Sequence, residues 1–450
     1  MFFKTRLMKT NCLSRTKSWN KGNKIFNLFN GISVTKISEI SGYRLRKSGK
    51  ITARRLILGF MTMVSKKMNT YEAWAQEISL QAGCTVSKQA VEDRMNYETA
   101  TMVRMVLEDE IRKKLLAREP KKNRTRSKFS SIKMEDSTVI NLPPELAFAF
   151  PGNVSLGRKK SQIKIHAFYN QSDNIFHFLN LHSFTTNDQS LARVSLDHVQ
   201  PGDLILRDMG FLVLDVLTEI DKYGGFFISR KNATIKVLDV SSEKEIDLVR
   251  LLRKGRFLDQ EVLIGKDKKV KMRMIAIPLP KDQASARRRK ARRDRDKRLN
   301  HDKAYYELLG YLIFITNVPK TKCTAEEIKD LYGLRWQIEI IFKSWKSHFN
   351  MGKLIPLKCI NPYRVQCMIY LWLLYIFLFQ VIWLAHFASF AKTDQHFSLL
   401  KMSRMFNTHF EKIITGKSEG ILYQLIISKC SFDKRNDRIN MSQKFDKIAA

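Results

Sequence analysis

The sequence predicts a mixed α/β fold, with a mixed sheet flanked by helices, a β-rich insertion and a helical N-terminal domain. Three observations carry that expectation. Residues up to about 125 show helical spacing and helix caps. From Ser130 onward, apolar and polar residues alternate with the two-residue period of half-buried strands. After Asp188, strands and helices take turns, as they do where helices cover a sheet. At 450 residues the chain can bury a large core and form more than one domain.

In order along the chain, residues 1–126 form the first region, which is helical, basic and expected to bind DNA. Its N-terminus, MFFKTRLMKTNCLSRTKSW, has no acidic residue before Glu39, so it reads as a basic arm that only superficially resembles a transit peptide. NTYEAWAQEISLQAG followed by CTVSKQAVEDRM gives a helix ending at Gly83, a short turn and a second helix opened by Ser87. That is a helix-turn-helix candidate in which Lys88, Gln89 and Arg94 would face a DNA groove. An ordinary helical hairpin has the same spacing. The basic stretch REPKKNRTRSK closes the region.

Residues 127–230 form the first part of the core. SIKMEDSTVINL is a strand, and QIKIHAFYNQSDNIFHFLNLH is two strands around a turn at residues 170–174. A helical stretch (Asp188 to Val199), a strand (Asp203 to Asp208), a helix (Phe211 to Tyr223) and a strand (Gly225 to Arg230) follow. Residues 231–304 interrupt the pattern as a β-rich, basic insertion. It contains VKMRMIAIPLP and then SARRRKARRDRDKRL, where nine basic residues face two aspartates between Arg287 and Arg298. So lopsided a run suits phosphate contact better than a merely solvated helix face. The strand YLIFITNVP and a helix from Thr324 open the second part of the core, residues 305–395. A helical region, 396–450, ends the chain.

With 80 Lys and Arg against 43 Asp and Glu, the formal charge is +37, which favours a polyanionic partner. Nucleic acid is the first candidate and anionic membrane the second. The six cysteines contain no C-x-x-C pair and the histidines show no ligand spacing beside them, so neither a zinc site nor a disulfide framework is indicated. A reducing cytosol fits. Cys367 to Phe390 is apolar enough to span a bilayer, but an all-round apolar helix is also what a large core contains. We expect the core helix, and no membrane partner. Gly152 to Lys159 approaches a phosphate-binding loop but has Arg where Lys is required, which argues against ATP-driven chemistry.

The chemistry is concentrated in LYGLRWQIEIIFKSWKSHF. Read as one continuous helix, Tyr332, Arg335, Glu339, Lys343 and Lys346 fall within an arc of roughly 80°. Leu334, Ile338, Ile341, Phe342 and Trp345 fill the neighbouring arc, so one side can be buried. A lone carboxylate among cations suits a metal ion and the phosphates around it.

These residues resemble the bacterial insertion-sequence transposases of the Asp-Asp-Glu type, whose signature is Tyr-x2-Arg-x3-Glu-x6-Lys. Tyr332, Arg335, Glu339 and Lys346 match it at every position. Asp136-Ser137-Thr138 with Leu142-Pro143, and Asp208-Met209-Gly210-Phe211, match the surroundings of the family's two aspartates. The likeness covers roughly residues 40 to 390. It implies a ribonuclease H-like core in which Asp136, Asp208 and Glu339 are catalytic and hold two Mg²⁺ (or Mn²⁺) ions. Arg335, Lys343 and Lys346 would grip DNA phosphates, Tyr332 would hydrogen-bond or stack, and Arg230 resembles a family arginine near the cleaved strand. The resemblance further implies cut-and-paste transposition on double-stranded DNA, both element terminal repeats and target. It also implies a homodimer on paired ends and a bacterial cytoplasmic, nucleoid-associated location.

Other readings accompany these. Glu135 stands beside Asp136, but a one-residue shift turns a side chain to the opposite sheet face, and the Asp-Ser-Thr match favours Asp136. Asp208 could be a helix N-cap and Glu339 a salt-bridge partner. No Trp lies between Trp74 and Trp336 to receive a flipped base as in some relatives, leaving Phe226, Phe227 or Tyr305 as substitutes. The alternative function is a non-catalytic DNA-binding regulator derived from a transposase.

Overall fold

The computed structural model describes residues 32–431, apart from 45–48, 118–127, 156, 232–234, 253–254, 294–301, 357–358, 385–396 and 416–418. The basic arm before Ile32, most of the linker near residue 126, the far end of the charge run and residues 432–450 lie outside the described residues.

The centre is a ten-stranded sheet. Its strands are β1 (Ser131–Leu142), β2 (Pro151–Ser155), β3 (Arg158–Asn170), β4 (Ile175–Ser183), β5 (Asp203–Arg207), β6 (Phe226–Arg230), β7 (Val237–Leu238), β8 (Leu258–Ile264), β9 (Val270–Pro278) and β10 (Tyr311–Thr316). β3 pairs antiparallel with β1, β2 and β4, while β1, β5 and β6 run parallel to one another. β10 then pairs antiparallel with both β6 and β9. The run β4-β3-β1-β5-β6 is thus an antiparallel meander joined to two parallel strands, the ribonuclease H-like order. The strands of the insertion, β7 to β9, extend the same sheet beyond β10. β3 and β4 are joined by a tight turn in which Asn174 adopts a left-handed conformation (φ 56°), one that Asn tolerates well.

Strand alternation divides the interior in two. Met134, Leu206, Ile228 and Phe314 face one core, shared with Trp74, Met102, Leu331, Trp345 and Trp372. Ile205, Phe227, Ile313 and Ile315 face the other, shared with Leu191, Val216 and Ile220. The first face is covered by helices from both ends of the chain: Ala53–Ser65, Tyr71–Ala82, Tyr97–Leu116, Ala325–Gly333, Trp336–Ser347 and Pro362–Phe377. The second is covered by the short helices between residues 188 and 222.

The apolar segment is a core helix over its described part, residues 385–390 lying outside the described residues. Asn361 caps it and Pro362 occupies its first turn, where a missing N–H costs nothing. Pro362–Gln380 is long and apolar enough to cross a bilayer, yet Trp372 and Tyr375 are fully buried. The Trp372 indole donates to the Phe349 carbonyl at 2.8 Å, and its ring meets Trp345 edge-on at 5.6 Å.

Candidate active site

Strand register builds one side of the site. Glu135 of β1 pairs with Arg207 of β5, which pairs with Ser229 of β6. The next residue on each parallel strand is Asp136, Asp208 and Arg230. Because side chains alternate, these three share the face of Met134, Leu206 and Ile228, and form a row across adjacent strands, at the C-terminal ends of β5 and β6 and just past the last β1–β5 pair on β1.

Glu135 turns the other way. Fully buried, it accepts from Arg207 Nη2 at 2.8 Å and the Ser195 hydroxyl at 3.1 Å, with His166 Nε2 at 3.0 Å. Asp208 occupies the N-cap position of a short 3₁₀ turn (Met209–Phe211), but its side chain makes no capping bond. It accepts instead from the Tyr332 hydroxyl at 3.4 Å.

The opposite wall comes from the signature segment, which corrects one expectation. It is two helices, Ala325–Gly333 and Trp336–Ser347, rather than one. Between them the backbone stays right-handed while the amides of Leu334, Arg335, Gln337 and Ile338 bond three residues back instead of four. Such 3₁₀ tightening eclipses residues i and i+3. Arg335 accordingly lies over Tyr332, its guanidinium carbon 5.7 Å from the ring centre. The ring is held from below by Phe314 at 5.1 Å.

Arg335 links the two walls. Its Nη2 donates to Glu339 Oε1 at 2.5 Å and its Nη1 to Asp136 Oδ2 at 3.4 Å. Burial pushes the Asp136 carboxyl up to about 7, against the pull of the Ser137 amide and Arg335 and with reinforcement from Asp208 and Glu339. Burial lowers the Arg335 pKa, but attraction to Tyr332, Asp208, Asp136 and Glu339 outweighs it and the net shift is upward. Burial also raises the Tyr332 hydroxyl well above its usual value. Three acidic groups in a half-buried place demand positive charge, and Arg335 supplies it.

Among the described residues no three His, Cys, Asp or Glu side chains stand close enough together to hold an ion. We expected Glu339 within metal-sharing distance of both aspartates; it reaches Asp136 through Arg335. The donor set nonetheless suits a hard divalent cation, since it is all carboxylate oxygen and each member strengthens the demand for positive charge. Arg335 was expected on DNA phosphates and is here an ion-pair partner of both carboxylates.

Other sequence candidates are placed as follows. Lys343 and Lys346 are exposed on the outer turns of Trp336–Ser347. Arg230 is half-buried, and its Nε has no acceptor among the described residues. Phe227 is buried in the second core, unable to receive a base, whereas Phe226 packs edge-on against Phe129 beneath the Lys322 ammonium. Tyr305 lies against Tyr306. In the helix-turn-helix candidate, Gly83 ends the first helix in a left-handed conformation as expected. The helix opened by Ser87 spans only Lys88–Glu92. Gln89 is exposed and bonded to Asp93, whereas Arg94 donates to the Tyr43 carbonyl at 3.1 Å and stacks on that ring, which withdraws Arg94 from a groove-facing role.

One group escaped the sequence reading. The Asp188 carboxylate accepts from Lys164 Nζ at 2.8 Å and the Ser137 hydroxyl at 3.1 Å. It also abuts Gly210, where an added Cβ would lie 3.1 Å from Asp188 Oδ2. It therefore braces the residues that follow both aspartates. Lys164 sits in a regularly alternating strand, so nothing in the pattern marked it as buried.

The sequence profile of the family described as Transposase DDE domain matches residues 128–378, more than half of the chain. The chain is 29% identical over 270 residues to the transposase for insertion sequence element IS231D of Bacillus thuringiensis subsp. finitimus, covering 56% of each protein. It is 28% identical over 316 residues to the transposase for IS231E of the same organism, covering 66% of this chain and 65% of that one. It is also 28% identical over 265 residues to the transposase for IS1151 of Clostridium perfringens, covering 54% and 55%. The matches thus span between half and two thirds of the relatives' length. Among solved structures, a piggyBac transposase synaptic complex with hairpin DNA aligns with a TM-score of 0.46 at 10% identity, covering 94% of this chain and 84% of that one.

Proposed function

Because the chain belongs to the transposase DDE domain family, we propose that it binds the ends of an insertion element in double-stranded DNA, cuts them and joins them to a target. The observation that carries this reading is that Asp136 and Asp208 stand side by side on one sheet face while the facing segment bonds to both, Tyr332 to Asp208 and Arg335 to Asp136, with Arg335 also holding Glu339.

Phosphodiester cleavage and strand joining are in-line displacements in which negative charge builds on the attacking and leaving oxygens. We assign Asp136, Asp208 and Glu339 as the residues that would hold two Mg²⁺ (or Mn²⁺) ions. When bound, such ions activate water or a 3′-hydroxyl and offset charge on the leaving oxygen. The chain's own groups position the DNA. Arg335 offers a planar fork matched to a phosphate, Lys343 and Lys346 offer point charges one and two turns beyond Glu339, and Arg230 extends the row. Tyr332 steadies Asp208 and supports the Arg335 guanidinium from below. We further propose that a homodimer assembles on paired ends and works in the bacterial cytoplasm, at the nucleoid.

The test is cleavage of a duplex carrying the inverted repeat that flanks the gene. The wild-type chain in Mg²⁺ should nick the repeat boundary, and Asp136→Asn, Asp208→Asn and Glu339→Gln should each abolish nicking while leaving duplex binding in place. Full cleavage by Glu339→Gln would overturn the assignment. Tight repeat binding without any cleavage by the wild type would favour the regulator.

A further inference from the structure

The helix Lys281–Arg293 carries KDQASARRRKARR, seven basic residues against one aspartate. Its placement is specific. β9 leads into it, Pro278 pairs with Tyr311 of β10, and the Leu279 amide bonds the Gly310 carbonyl at 2.8 Å. β10 runs antiparallel to β6, so its Tyr311 end lies beyond Arg230, at the same end of the sheet as Asp136 and Asp208.

The way the helix is fastened preserves its charge. Arg287 Nη1 donates to the Tyr311 carbonyl at 3.3 Å, Arg288 Nε donates to the Tyr306 carbonyl at 2.9 Å, and Arg292 lies 5.6 Å over the Tyr306 ring. Every one of these anchors is neutral. Among the described residues no carboxylate pairs with the helix, and Arg287 is lowered by burial and by its proximity to Arg230. Two arginines held near each other without an acid between them are an arrangement that a phosphate would stabilise. Ala284 is buried, Arg287, Arg288 and Ala291 are half-buried, and Lys281, Arg289, Lys290, Arg292 and Arg293 are exposed over roughly half of the helix circumference.

We infer that the exposed face of Lys281–Arg293 grips the phosphate backbone of duplex DNA as it passes the Asp136–Asp208–Arg230 row, a role that rests on the function proposed above. Arg230 and Arg287 connect the row to the helix, so the backbone meets positive charge without interruption from the cut outward. The contact is to phosphates and not to bases, because the face presents a broad spread of cations and no row of groups suited to reading base edges. A lipid surface is disfavoured by the same composition, since Gln283, Ser285 and Ala286 provide no bulky apolar side to insert.

The test uses the full chain and two short labelled duplexes, one with the flanking inverted repeat and one of random sequence, titrated between about 50 and 200 mM salt. Lys281→Gln, Arg289→Gln, Lys290→Gln and Arg293→Gln are combined, leaving the anchors Arg287, Arg288 and Arg292 in place. The slope of log affinity against log salt should fall by about 3 to 4, at roughly 0.9 per lost phosphate contact, and equally on both duplexes. If the combined variant does not fold, each single substitution should lower the slope by about 0.9. An unchanged slope in a folded variant overturns the inference and leaves the transposase reading intact. A wild-type chain that binds neither duplex overturns both. Unaltered DNA binding with lost binding to phosphatidylserine vesicles would assign the helix to a membrane and overturn it equally.

Discussion

Glu135 and Asp136 are neighbours on β1, yet one carboxylate closes a buried network with Arg207 and the other joins Asp208 at the site. Two distinct phenotypes follow. Glu135→Ala leaves the fully buried Arg207 charge uncompensated and should cost about 3 to 5 kcal/mol in urea unfolding. Asp136→Asn should remove cleavage without that loss. Equal stability of wild type and Glu135→Ala would remove the structural role given to Glu135.

The raised Asp136 carboxyl ties stability to pH. Its folded pKa of about 7 lies above the unfolded value, so the folded state holds the extra proton. The stabilisation is complete below the unfolded pKa of about 4 and is lost as pH rises through about 7. Asp136→Asn should therefore be more stable than wild type at pH 8, by on the order of 2 to 4 kcal/mol at most, with the gap closing towards pH 4. Magnesium should reverse the ranking by raising the melting temperature of the wild type alone. Parallel stability-versus-pH curves would refute the linkage.

Gly210 has no room to spare beside Asp188. A methyl group there must displace the Asp188 carboxylate or the turn carrying Asp208. Gly210→Ala should slow cleavage on the order of tenfold to a hundredfold with duplex affinity unchanged. An unaltered single-turnover rate would show that the neighbour yields freely.

Trp372 tests the core helix. Trp372→Ala removes a fully buried ring and its bond to the Phe349 carbonyl, and should cost about 3 to 5 kcal/mol. A loss under about 1 kcal/mol would be inconsistent with so tight a packing.

The aspartates and Arg230 were legible because each sits beside a local pattern, a strand followed by characteristic small or aromatic residues. Register then aligns them without any long-range information beyond strand pairing. The break before Arg335 was not legible, since the apolar seam of Leu334, Ile338 and Ile341 continues across it as though the helix were unbroken. The partners of Arg94 and Arg335 were not legible for a shared reason. Sequence shows that a cation is present, but the group it meets, Tyr43 or Asp136, comes from a distant segment. The strands of the insertion were visible as strands, whereas their joining the edge of the central sheet depends on β9 pairing with β10.

The first core runs from Val34 through Trp74, Met134 and Trp372 to Cys430, so segments near both described ends cover a single sheet face. A shortened copy that began at β1 would lack Leu56, Phe60 and Met102, all fully buried in the intact chain, and would expose the apolar side of Pro362–Phe377 that their helices cover. Such a fragment should be degraded or aggregate. The helices before β1 are therefore needed to fold the sheet face that carries the site, and a change that loosens them should lower activity by lowering the amount of folded protein.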